Sequence, residues 1–198
     1  VRCRQRWPSR KVVTFGALMG FTTLASGRVE SIRTPGALHK YLAGTWRVAK
    51  KMDYSEPAGW AGTMDGLVTV VPRPTQPSVL MWRESGDMRL NASPEVPMAV
   101  TKALAFKCDD QWPVGVFFVD GDPQDSTDDG WGHADTQRLF FNLQLGEDEL
   151  SCSFDHLCIN DMYTGTLTLE TENRFKWNWR VHGPRKDGLI TQTFERHG

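Results

Sequence analysis

Between Arg174 and His182, Phe175, Trp177, Trp179 and Val181 alternate with Lys176, Asn178, Arg180 and His182. On an extended strand this period of two gives one apolar and one polar face. Short runs of similar character, separated by turn residues, lie near 45–53, 63–72, 78–85, 98–108, 114–120, 137–145, 149–156, 161–171, 174–182 and 188–196. About ten strands at this spacing predict an all-β domain closed into an antiparallel barrel. Just before them, Thr34 is placed to cap a short helix with Pro35 at its first position. Ala37, Leu38, Tyr41 and Leu42 give that helix an apolar side, and Gly44 stops it. The two-faced strands are compatible with an apolar core and wet exterior, or with a hydrophobic outer face docked on a partner around a polar lumen.

Residues 1–33 read differently, as a basic and then apolar arm ahead of a barrel domain at 34–198. Arg2, Arg4, Arg6, Arg10 and Lys11 precede a largely apolar stretch from Val12 to Phe21 that fades by Gly27, and the first acidic residue is Glu30. As a helix, residues 12–26 span about 22 Å, short of a hydrocarbon core of about 30 Å. A short membrane anchor at 12–27, an interfacial helix, an arm laid on a partner protein, or a leftover targeting segment each accounts for the pattern. The Arg-rich, acid-poor start suits an organellar, membrane-associated protein, with the mitochondrial inner membrane ahead of the plastid thylakoid.

Charge removes one class of partner: 23 Lys+Arg against 24 Asp+Glu leaves no field to attract nucleic acid. Cys3, Cys108, Cys152 and Cys158 lack CxxC spacing and are too sparse for a disulfide scaffold. GxSxG, Walker, dinucleotide-binding and HExxH motifs are missing, so the expectation is a non-enzyme with no catalytic residues and no cofactor.

Gly44-Thr45-Trp46 after a short helix is similar to the GxW opening of the calycins, the lipocalins and fatty-acid-binding proteins. That resemblance implies a calycin-type barrel in which a basic residue of the last strand, here Arg196, stacks on Trp46 and closes the base. A closer resemblance covers about 155 residues from Tyr41 onward, to an uncharacterised domain family of bacteria and eukaryotes. It rests on Leu42-Ala43-Gly44-Thr45-Trp46-Arg47-Val48, on Asp120-Gly121, on His156-Leu157-Cys158-Ile159-Asn160-Asp161-Met162-Tyr163, and on Trp179-Arg180-Val181-His182-Gly183-Pro184-Arg185-Lys186-Asp187. Asp122-Pro123-Gln124-Asp125 and Gly188 depart from the family pattern. The resemblance implies a fold and no reaction.

His156, Cys158, Asp161 and Tyr163 are the candidate ligand-binding residues, a polar cluster at one hairpin. Cys152, His156 and Cys158 share a strand face, but positions i and i+6 lie about 20 Å apart, too far to share a metal with bonds of about 2.0–2.3 Å. No metal is expected there. Aspartates from Asp120 to Asp135 crowd a loop that resembles a calcium loop without its closing glutamate. Arg185 and Lys186 place two cations at a turn where an anion could dock. A hydrolase or isomerase using His156 and Asp161 requires both in one pocket. The leading functional expectation is a non-catalytic accessory subunit of an organellar membrane complex, using the barrel to dock on protein subunits. The alternative is a carrier of a small apolar ligand or haem, which bulky side chains such as Trp82, Phe106, Phe118 or Trp177 would exclude by plugging the lumen.

Overall fold

The computed structural model describes residues 31–55, 58–119 and 138–198. The predicted anchor at 12–27, the Asp120-Gly121 motif and the acidic calcium-like loop lie outside these residues.

Thr34 caps the helix as expected: its Oγ1 accepts a hydrogen bond from the Ala37 amide at 3.2 Å and starts helix α1, Pro35–Leu42. Ten strands follow: β1 Gly44–Ser55, β2 Ala61–Arg73, β3 Gln76–Leu90, β4 Ser93–Lys107, β5 Val114–Phe118, β6 Leu139–Leu145, β7 Ser151–Cys158, β8 Asp161–Thr171, β9 Arg174–His182 and β10 Asp187–Arg196. Each pairs antiparallel with the next, and β10 returns to β1 through ten residue pairs from Trp46↔Arg196 to Ser55↔Asp187. The result is a closed ten-stranded up-and-down barrel with no free edge.

β3 and β4 run further than the predicted 78–85 and 98–108. Their outer halves carry Glu84-Ser85-Gly86-Asp87 and Pro94-Glu95-Val96-Pro97, which have little apolar alternation. The ladder continues there through main-chain pairs such as Ser85↔Thr101 and Met88↔Met98, and residues 93–97 are all exposed. Hydrogen bonding without burial leaves no hydrophobic signature to read.

The meander gives the barrel two unlike ends. The base holds α1, the start of β1 and the end of β10. The mouth holds the β7–β8 and β9–β10 turns, and Phe118 and Leu139, which flank the β5–β6 connection, stand there too. The Leu42–Val48 motif therefore sits at the base, whereas the His156–Tyr163 and Trp179–Asp187 motifs meet at the mouth.

Inside and outside are now assigned. Phe175, Trp177, Trp179 and Val181 point inward with 0–5% exposure, and Arg180 and His182 face solvent. The aromatic face is consequently core, which corrects the expectation of exposed aromatic strands for docking. Leu157, Ile159 and Met162 form a cluster of exposed apolar residues at the β7–β8 tip. Ile159 has φ 62°, a left-handed conformation that its branched Cβ disfavours.

Candidate functional site

The base is sealed by polar contacts around an aromatic stack. The Trp46 indole N–H donates to the Leu42 carbonyl at 2.8 Å, coupling the floor of the barrel to α1. The Arg196 guanidinium lies 4.1 Å from the Trp46 ring centroid and donates to the carbonyls of Ala43 (3.0 Å) and Tyr41 (2.9 Å). A side chain at Gly44, where φ is 130°, would place its Cβ 2.7 Å from that guanidinium. Tyr41 donates to Thr171 O at 2.6 Å, and burial raises its phenol pKa. This geometry makes Trp46 and Arg196 a structural seal rather than a reactive centre.

Above the seal the lumen is filled. Phe175 and Phe194 stack at 4.3 Å, Trp82 stacks on Phe106 at 5.6 Å, and Trp82 meets Trp177 edge-on at 5.6 Å. Trp82, Phe106 and Trp177 are at most 1% exposed, so the lower and middle barrel holds no guest.

Charge replaces hydrocarbon toward the mouth. Along β1 the inward positions run Trp46, Val48, Lys50, along β3 Leu80, Trp82, Glu84, and along β4 Phe106, Leu104, Lys102. Lys50 donates to Glu84 at 2.5 Å, with side-chain exposures of 9% and 5%. Lys102, opposite Glu84 in the ladder, instead faces rings, its Nζ lying 5.2 Å from Trp179, 5.6 Å from Trp177 and 5.7 Å from Phe140. Among the described residues it forms no ion pair or hydrogen bond. Burial, with Lys50 beside it, lowers its pKa to about 8 against a weaker opposing effect of Glu84. The indole N–H groups of Trp82, Trp177 and Trp179 and Nε2 of His156 are also buried without a partner. Lys50, Glu84 and Lys102 were not foreseen as a site, although charged side chains at inward positions of alternating strands were a readable signal.

The predicted ligand residues divide. His156 and Tyr163 are cross-strand partners at the mouth, their rings 6.2 Å apart, and His156 packs edge-on to Phe140 at 4.7 Å. Burial lowers the His156 pKa. Tyr163 accepts a hydrogen bond from Lys186 at 3.2 Å. Asp161, 4% exposed, accepts the Arg185 amide at 3.0 Å, and a Cβ on Gly183 would come within 2.4 Å of its Oδ1. Its carboxylate thus holds the β9–β10 turn. Arg185 and Lys186 sit exposed on that turn, but only Lys186 reaches into the cluster. Cys158 is a partly exposed cysteine, and burial pushes the thiols of Cys108 and Cys152 up to about 12. No group of three metal-ligating side chains occurs among the described residues.

A similar fold occurs in one solved structure, with weaker likenesses in others. The S-type phycobiliprotein lyase CPES from Guillardia theta superposes with a TM-score of 0.56 at 9% identity, covering 84% of this chain and 94% of that one. A protein of unknown function from the DUF3598 family of Nostoc punctiforme gives 0.44 at 13% identity, over 80% of this chain and 49% of that one. A redesigned β-barrel, mFAP1, bound to DFHBI, gives 0.31 at 16% identity, over 80% and 97%. One of these barrels carries the name of a lyase, so the fold by itself does not exclude an enzyme. No curated protein matches the chain in sequence. Residues 42–196 match one family description from the end of α1 to the end of β10, and the chain belongs to that family, the Family of unknown function (DUF6314).

Proposed function

We propose that this calycin-like barrel is a binding protein for a small apolar molecule, taken up at the mouth. The observation that carries the reading is the contrast inside one lumen. Inward side chains near α1 such as Trp46, Phe175 and Phe194 are dry and packed, whereas the inward-facing Met98, Val100, Lys102, Tyr163 and Ile190 keep partial solvent contact. A barrel that needed only a core would be filled to the rim. A guest here rests on the ceiling made by Trp177 and Trp82 and lies against Phe140 and Trp179. Binding of this kind serves carriage, and it also serves a lyase of the sort named in the similar structure.

Titration with N-phenyl-1-naphthylamine, an uncharged fluorescent probe, tests the reading. Saturable one-to-one binding with quenching of tryptophan emission is expected, and Val100→Trp at the mouth should abolish it. Absence of saturable binding, or binding unchanged by Val100→Trp, overturns it.

A further inference from the structure

Building on that reading, we infer that the guest is an anion, an apolar molecule ending in a carboxylate, and that Lys102 is its anchor. Inside the barrel the ionised groups are Lys50, Glu84 and Lys102. Glu84 is committed to Lys50 at 2.5 Å, so of these three side chains Lys102 is the one with no counter-ion among the described residues. Charges drawn into a barrel are ordinarily paired, and Lys102, inward-facing with partial solvent contact, gives up part of its hydration without an ion pair in return.

Lys102 receives instead the faces of three rings, which attract a cation but supply no acceptor, and its N–H donors have none among the described residues. Two of those rings, Trp177 and Trp179, also carry indole N–H groups that are buried, 1% and 5% exposed as residues, and unpartnered. The unpartnered groups of Lys102, Trp177 and Trp179 are all donors. A group that satisfies it must bring acceptors and negative charge together, as a carboxylate does. A neutral alcohol or ester brings one without the other.

The geometry also sets the orientation. Lys102 lies below Val100 and Met98 on β4, so the acidic end enters first and the hydrocarbon trails among Val100, Met98 and Phe140 toward the mouth. Glu84 then acts against the ligand, and neutralising it should tighten binding.

Competition against N-phenyl-1-naphthylamine by dodecanoate and by methyl dodecanoate provides the test. The wild-type protein should prefer the acid by tenfold or more at pH 7. Lys102→Met should erase that preference while still binding the ester, Lys102→Arg should keep it, and Glu84→Gln should strengthen acid binding severalfold. Equal affinity for acid and ester in the wild type, or an acid preference that survives in a folded Lys102→Met protein, overturns the anionic guest and leaves an apolar binding site standing. Failure of the wild type to bind either molecule or the naphthylamine removes the binding reading itself, and the anchor with it.

Discussion

The two halves of the lumen use similar residues to opposite ends. Near α1, Trp46, Phe175 and Phe194 meet ring to ring and the one polar atom among them, the Trp46 N–H, finds the Leu42 carbonyl. Toward the mouth, Trp179 and Phe140, with Trp177 beneath them, surround an ammonium group, and the two indole N–H groups have no partner among the described residues. Aromatic mass alone does not distinguish a core from a site. The difference lies in what the rings enclose, other rings near α1 and a charged group toward the mouth.

The comparison breaks first if the halves respond alike to truncation. Trp82→Ala should cost about 3–5 kcal/mol, the range for removing a buried aromatic side chain, while His156→Ala at the mouth should cost less than about 1 kcal/mol. Urea denaturation of the two variants measures the gap, and equal losses would mean that the mouth is ordinary core.

Lys102→Met should move stability the other way, raising it by about 1–3 kcal/mol at pH 7, because it removes a desolvated charge while keeping similar volume. The sign follows from linkage: the ammonium has a pKa of about 8 in the folded barrel against an ordinary 10.5. Between those values the unfolded chain binds the extra proton, so wild-type stability should climb from pH 8 to 10.5 and the variant should lack that climb. A flat wild-type profile would show that the charge already has a partner.

Smaller effects sharpen the base and the tip. Arg196→Lys keeps the charge but loses the planar fork that reaches two carbonyls across Trp46, and should lower stability by about 1–2 kcal/mol in thermal unfolding. Ile159→Gly relieves a branched side chain held at positive φ and should raise stability by about 0.5–1 kcal/mol, net of the backbone entropy glycine adds. A loss in that variant would mean that the exposed isoleucine is held by contacts worth more than its strain.

Much of the fold was legible because alternation reports burial directly. Phe175 to Val181 on β9 and the Thr34-Pro35 cap both appear where the pattern put them. What alternation cannot report is which face closes inward, and that depends on β1 meeting β10 across the whole chain. The site was less legible for a related reason. His156, Asp161 and Tyr163 stood out as a dense polar motif, yet Asp161 holds a turn. Lys50, Glu84 and Lys102 are scattered over three strands and come together only when the barrel shuts.

The seam between first and last strands has a consequence for biosynthesis. Each hairpin up to β9 forms between neighbours in the chain, but β1 waits for a segment some 150 residues later, as the Arg47–His197 contact measures. Until that segment emerges, the growing polypeptide carries two unsatisfied borders, one on β1 and one on the latest strand made. Either border can recruit a second copy, so a nascent chain stalled before β10 is the form most in need of a chaperone.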